Sequence, residues 1–495
     1  MELQLAPVRI VRRRNRRDPK PRFLADMSSQ LDAVMGCPQL CVAAGHPARQ
    51  IQAVVEQLDT TSLDAGYSSL GRHGHDPKRL LGIWIYASTI GVHYASQLER
   101  ACKTDAAFRL LSGGYSPSAA TLKRFRAKHA VFFRAALEQT VRMAHQQGLL
   151  RTDEMAVDSM RLRAHASMNA VRRKQRAVDK LAGLEKANPH ELSATEQAIR
   201  DQAIARNRAV VQTCQERAVT SYVKTNESAA LMKFPYGGAQ PGHRMTVTAA
   251  GASERIVIGV LVDAAPTDVG KLPGAARQAL EVLRGAGVPV QQQHQLLADA
   301  GYWDTVSLEY AHQMRDRMQI WIADARPPAE RNRDANTSFG PEDFVVSEDK
   351  RSVTCPAGRS MQGPESGGQG LRRWFGKGCG DCSLKPRCTK GKRRKFQINL
   401  TFEAARDPMR ERLAAPGSKS LYRKRSAIIE PVFASLESDM GFRRASSRHS
   451  ATVLAEILLK LLAHNVRKLA LAARKRLRVL WLTVDSGGRW SLLRG

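Results

Sequence analysis

HRMTVTAA (residues 243–250), RIVIGVLVDAA (255–265), HQLLADAGYW (294–303) and QIWIADA (319–325) are apolar runs of strand length, and the stretch from Asp268 to Arg284 reads as a helix between the second and third of them. Strands followed by alternating helix and strand indicate an α/β domain with a mixed sheet. Upstream, MAVDSMRLRA (155–164) reads as one more strand. Between it and the first run, residues 168–220 are polar, Ala-rich and mixed in charge, with Gly183 and Pro189 as the breakers. That pattern predicts a helical hairpin inserted into the domain.

Outward from this centre the chain changes character. Residues 48–150 carry apolar positions at helical spacing. Asp76 and Pro77 open one helix, and the turn at Gly113 and Gly114 is followed by a cap near Ser116 or Ser118 and a long helix. A short helix, a Gly turn and a helix opening with Thr121, Lys123, Arg124 and Arg126 suits a helix-turn-helix-like DNA contact; a plain helical bundle has the same periodicity. Residues 327–400 hold Gly, Pro, Arg and four Cys with little periodicity and read as an inserted module. From Ser418 the pattern is helical to about Val479. The layout is therefore a basic arm (1–47), a helical DNA-binding domain (48–150), a catalytic domain in two parts (151–326 and 401–480) split by the Cys-rich insertion (327–400), and a tail (481–495).

Composition narrows the partner. Lys and Arg total 78 against 46 Asp and Glu, a formal charge of +32 over 495 residues. A chain this basic suits a polyanion, nucleic acid first. Between Arg9 and Arg22 there are eight basic residues and one acid, Asp18, a run that lies on phosphates or stays a solvated tail. The longest uncharged stretch, Leu80 to Leu98, contains Ser88, Thr89, His93 and Gln97 and reads as a buried helix, not a membrane span. No signal-peptide pattern opens the chain, and eight Cys without an even framework fit a reducing cytoplasm.

Three acids stand in telling places. Asp158 lies within a strand, where a charge is costly unless it faces a site. Asp299 ends the run QLLA, at the C-terminal end of a strand, where α/β folds place chemistry. Glu430 lies in a helix whose buried side is read as Ile428, Ile429, Val432, Phe433 and Leu436. Hard carboxylate oxygens suit Mg²⁺ or Mn²⁺, and two such ions can clamp the attacking and leaving oxygens of a phosphodiester. Taken singly, such an acid is more often a turn or cap residue than a metal ligand, and physics alone does not single these three out of the 46 acids.

The pattern resembles the DDE transposases of bacterial insertion sequences, over roughly residues 48–475. VDSMRLRAHAS (157–167) is similar to that family's first-acid strand, ADAGYW (298–303) to its second-acid pattern, and YRKRSAIIEPVFASLESDMGFRR (422–444) to its third-acid helix. The stretch 75–114 followed by TLKRFR (121–126) resembles the same transposases' N-terminal domain. The resemblance implies an RNase H-like catalytic domain, with Asp158, Asp299 and Glu430 as ligands of two Mg²⁺ or Mn²⁺ ions. It implies strand cleavage at the element's ends and strand transfer into target DNA. The partners are then double-stranded DNA (terminal inverted repeats and target) and further copies of the chain, as a homodimer or larger assembly on DNA. Tyr422 and Arg425 match a pair that grips DNA phosphate. Three departures stand out: Ser159 where Gly is usual, Arg425 one residue further from Glu430, and Glu437 in a place often held by Lys. A decayed or domesticated copy that only binds DNA, and a nuclease without strand transfer, are the other readings.

Cys355, Cys379, Cys382 and Cys388 fall within 34 residues, and Cys379-x-x-Cys382 has metal-knuckle spacing. Four thiolates make a tetrahedral Zn²⁺ site. An iron–sulfur cluster and four unligated thiols are the alternatives that the irregular spacing leaves open. Lys385, Arg387, Lys390, Lys392, Arg393, Arg394 and Lys395 surround these cysteines, and Lys392, Arg393 and Arg394 are candidate DNA contacts of such a module.

Overall fold

A computed structural model of the chain describes residues 23–31, 36–68, 72–186, 192–235, 237–265, 267–289, 294–324 and 338–482. The basic run Arg9–Arg22 and the tail beyond Leu482 lie outside the described residues. Contacts divide the chain into two compact units: Met1–Asp268 with Gly274–Leu296 and Lys424–Gly495, and Val269–Pro273 with Leu297–Arg423.

The first unit opens with helices α1 (Pro38–Cys41), α2 (Pro47–Glu56), α3 (Thr61–Asp64), α4 (Pro77–Thr89), α5 (Ala95–Thr104), α6 (Ala106–Leu111), α7 (Ala119–Lys128) and α8 (Ala130–Gln146). Their starts follow local chemistry. The Asp76 carboxylate accepts from Lys78 N at 2.8 Å ahead of Pro77, and Ser118 Oγ accepts from Thr121 N at 3.2 Å. Two expectations are corrected here. The long helix after Ser118 is broken at His129 (φ −111°, ψ 29°) into α7 and α8. The uncharged stretch 80–98 is not one helix: it holds the end of α4, a turn with Gly91 at φ +73°, and the start of α5.

The sheet elements of this unit are β1 (Met155–Arg163), β2 (Val171–Arg173), β3 (Ser221–Val223), β4 (Ala230–Lys233), β5 (Ala239–Ala250) and β6 (Ile256–Asp263). Strand β5 is central. It pairs antiparallel with β1 from Met155↔Ala250 to Arg163↔Gly242, and on its other edge with β4 and β6. The expected hairpin is α9 (Lys174–Lys186) and α10 (Ala194–Glu216). Its two helices bury only Ala177 and Cys214, and the antiparallel pair β2–β3 joins its ends. Helix α11 (Leu272–Gly285) follows β6.

The second unit contains the end of β7 (Gln295–Ala298), α12 (Thr305–Gln313) and β8 (Gln319–Ile322), which neighbours β7. The Cys-rich segment then forms two small antiparallel sheets. One is β9 (Val345–Val346) with β10 (Val353–Thr354); the other is β11 (Gln362–Ser366), β12 (Leu371–Phe375) and β13 (Lys395–Asn399). A one-turn helix α13 (Lys385–Cys388) lies between β12 and β13 in sequence. The buried core of this segment is Phe344, Val353, Met361, Trp374 and Phe396. Helix α14 (Leu400–Ala414) packs on α12 and β8.

Helix α15 (Ser418–Ala434) ends in a π turn, Ser435–Asp439, and α16 (Ser450–Leu482) follows after a non-helical stretch, so the expected unbroken helix to Val479 is interrupted. Helix α16 packs against α2, α4, α7, α8 and β6. Every residue from Val453 to Val466 is at most 4% exposed. A helix covered on all sides is apolar nearly all round, and the polar residues that remain are bonded. Asn465 accepts from Val257 N (2.9 Å) and donates to Val257 O (2.8 Å) and to Thr140 Oγ1 (3.0 Å). One side-chain amide thus serves the backbone of β6 as a neighbouring strand residue would. No helix among the described residues is long and apolar enough to cross a membrane.

Candidate active site and nucleic-acid interface

Asp158 sits midway along β1, after Met155, Ala156 and Val157, each 0% exposed. One carboxylate oxygen accepts from Ser159 N at 2.7 Å; the other meets Arg425 Nη1 at 2.9 Å. Their side chains are 22% and 14% exposed. A second pair, Lys424 Nζ to Glu154 Oε1 at 2.6 Å, runs alongside. The Lys424 hydrogen bond holds the Glu154 carboxyl below its ordinary range against the opposing effect of burial. Glu154 lies just before β1 and Asp158 within it, and adjacent residues of α15 reach both. Composition reasoning missed this strap. The signal was present in two consecutive basic residues and two acids spaced by four.

Helix α15 has a further tie. Pro431 has no N–H, so the carbonyl of Ala427, four residues earlier, loses its helical donor. Arg255 Nε supplies one at 2.9 Å. Glu430 precedes this proline. Ile428, Ile429, Val432 and Leu436 are each 0% exposed, whereas Glu430 is exposed and Phe433 only half-buried. The expectation that Glu430 lies among buried residues is therefore corrected. At 3.6 residues per turn, five residues rotate a side chain by about 140°, so Arg425 turned toward β1 leaves Glu430 on another side of the helix.

In the second unit, Asp299 closes β7 and caps the turn Ala300–Tyr302, accepting from Gly301 N at 2.9 Å. Tyr422 Oη donates to Ala298 O at 3.1 Å, one residue before that acid. Half-buried Trp303 lies under Arg410, whose guanidinium is 5.9 Å from the ring centroid and pairs with Asp324 at 2.9 Å. Asp324, two residues past the end of β8, is an acid that the sequence reading passed over.

Of the basic residues expected on DNA, Lys123, Arg124, Lys392 and Arg393 are exposed. Arg126 is not. It is 8% exposed, pairs with Glu456 at 3.6 Å, donates to Ser446 Oγ at 2.8 Å and lies 4.8 Å from the Trp84 ring centroid. It faces the core because Leu122, Phe125 and Arg126 share the buried side of α7, so its assignment to DNA is overturned. Arg394 is half-buried and donates to Cys388 O at 2.9 Å, which makes it an internal clamp of the Cys-rich segment.

The four cysteines of that segment, Cys355, Cys379, Cys382 and Cys388, line one pocket together with Arg394. Burial pushes the Cys388 thiol up, Arg394 pulls it down, and the other three cysteines raise it further. Among the described residues no group of three or more His, Cys, Asp or Glu side chains stands as a ready-made metal site. Carboxylate oxygens such as those of Asp158, Asp299 and Glu430 are of the hard type that suits Mg²⁺ or Mn²⁺. Asp158 is at present neutralised by a guanidinium.

The chain is a mixed α/β protein with a helical N-terminal region and a strongly basic composition, which suits a polyanionic partner. Comparison with known families is more specific. The family described as Transposase DDE domain matches residues 354–470, and Transposase domain (DUF772) matches residues 39–128. Together the two matches support a DDE transposase of insertion-sequence type. No curated protein and no solved structure matches the chain. The first match covers the four cysteines and Glu430; Asp158 and Asp299 lie outside it.

Proposed function

We propose that this chain cuts DNA at the ends of its element and joins those ends to target DNA. In this reading Asp158, Asp299 and Glu430 hold two Mg²⁺ or Mn²⁺ ions in an RNase H-like catalytic domain. The observation that carries the reading is the strap between β1 and α15. A partly exposed strand acid, Asp158, is paired with Arg425 on the helix that bears Glu430, and that helix lies within the segment matched by the transposase DDE family.

When bound, such ions would activate water or a 3′-OH and stabilise charge on the scissile phosphate. The chain's own residues account for the rest. Arg425 offers a planar fork that fits phosphate as well as carboxylate, so a DNA phosphate can take the place of Asp158 on Arg425 and free the carboxylate. Exposed Lys123, Arg124, Lys392 and Arg393 contribute salt-sensitive phosphate contacts that position the duplex. Tyr422 fixes the strand end that presents Asp299. Two copies on paired element ends would make a homodimer the working unit.

A second reading, a copy that binds element ends without cutting, is favoured by the Arg425 contact on Asp158 and by Glu437 in place of a base. Full-length protein with a labelled element end, in Mg²⁺ and then Mn²⁺, separates the two. Nicking and joining support the enzyme. Retention on the end without any product in either metal establishes the binding protein.

A further inference from the structure

The segment around the four cysteines has a small core of its own, supplemented by contacts of β12 and β13 with α14. Residues 338–399 bury five large apolar side chains in their own cluster, and the strands there run two to five residues. Small units of this kind ordinarily need a covalent or metal staple. All four cysteines are free thiols.

They also come from separate pieces of chain. Cys355 follows β10 in a turn closed by Gly358 N to Cys355 O at 2.8 Å; Cys379 and Cys382 lie in the loop after β12; Cys388 ends α13. One pocket receives all four. Gly376 permits the approach, since a Cβ there would stand 2.5 Å from Cys379 Sγ. The lining also includes Arg359, Lys377, Lys385 and Arg394. Four thiolates around a divalent ion leave a net charge of −2, and these cations offset it.

We propose that Cys355, Cys379, Cys382 and Cys388 bind one zinc ion as a structural tetrathiolate site that ties the Cys355 turn, the Cys379–Cys382 loop and α13 together. The thiols line the pocket without forming a finished ligand group; the ion draws them to a common centre and displaces their protons, as metal binding to a thiol site must. Soft sulfur donors in a tetrahedral set select zinc over the hard ions suited to the acids. This site does not depend on the proposed DNA chemistry.

The test uses full-length protein purified without chelator. Zinc content should be about one equivalent per chain, and cobalt(II) exchange should give the absorption of a tetrahedral thiolate complex. Cys382→Ser should lose most of the zinc, while Cys41→Ser, at an exposed cysteine outside the pocket, keeps it. A chelator should speed proteolytic cutting within 338–399. Glu430→Gln should retain full zinc, which separates this site from the acids. Four thiols that react freely with a thiol reagent in protein holding less than about half an equivalent of zinc would overturn the proposal. So would iron with acid-labile sulfide. If Cys382→Ser fails to fold, the zinc and cobalt measurements on unaltered protein decide alone.

Discussion

Within the first unit, α16 and the part of α15 from Lys424 onward use charged residues in different ways. In α16, Glu456, Lys460 and His464 recur every fourth position and are buried: Glu456 meets Arg126, Lys460 lies 2.9 Å from His93 Nδ1, and His464 bonds Arg255 O at 3.0 Å. In α15, Lys424 and Arg425 meet acids at the sheet, and Glu430 is exposed. The fold consumes all three of these residues in α16, whereas in α15 it consumes Lys424 and Arg425 and leaves Glu430 accessible. Residue type and spacing do not separate the two cases; what packs above each position does.

Three experiments sharpen or break that contrast. The largest effect should come from Glu430→Gln. If α15 carries an accessible ligand, strand cutting falls by 10³-fold or more, of the order lost with other essential catalytic groups. Folding and end binding stay as they were, because an exposed side chain is being exchanged for one of equal shape. Near-normal cutting by this variant would remove Glu430 from the site and make Glu437 the next acid to test.

Arg126→Ala should cost stability. It leaves Glu456, 2% exposed, short of its cationic partner, and breaking a buried ion pair costs about 3–5 kcal/mol. Chemical denaturation reads this directly. DNA affinity of the folded variant should be unchanged, whereas Lys123→Ala should weaken binding and leave stability alone. The reverse pattern would return Arg126 to the DNA surface.

The smallest effect is on pH. Burial is the main cause that lowers the His93 and His464 pKa values to about 4, with Lys460 and then Arg126 adding to it at His93. An unfolded histidine titrates near 6.5. Between pH 6.5 and 4 the unfolded chain therefore binds protons that the folded chain refuses, and stability falls as pH drops through that window. His464→Gln keeps a donor for the Arg255 carbonyl, so urea midpoints measured across the window should show a shallower fall than the unaltered protein. An unchanged slope would mean that His464 is charged in the fold.

Much of this architecture was legible. Asp76–Pro77 and Ser118 marked helix starts, and apolar runs marked β5, β6, β7 and β8. The polar stretch between β1 and β5 announced the hairpin. The face of Glu430 could also have been read, because a stripe through 428, 429, 432 and 436 excludes 430; its apolar neighbours in sequence were mistaken for neighbours in space. Arg126 could not. Its burial depends on Glu456 in the C-terminal helix, and a basic residue opening a helix looks the same on either face. The Cys-rich segment gave no period because its strands are too short to repeat one. Asp299 illustrates the remaining ambiguity: its carboxylate caps a turn, as a lone strand-end acid commonly does, and that duty is compatible with another.

The β2–β3 pair has a consequence for how such a chain can change over generations. Arg173 faces Ser221 across the pair, so the arm formed by α9 and α10 leaves and re-enters the body at neighbouring points. Among its described residues the two helices bury only Ala177 and Cys214, so little of the core depends on the arm's length. Whole helical turns can be added or removed there while the strands on either side keep their places, and the reach of the arm is free to drift where the rest of the fold is not.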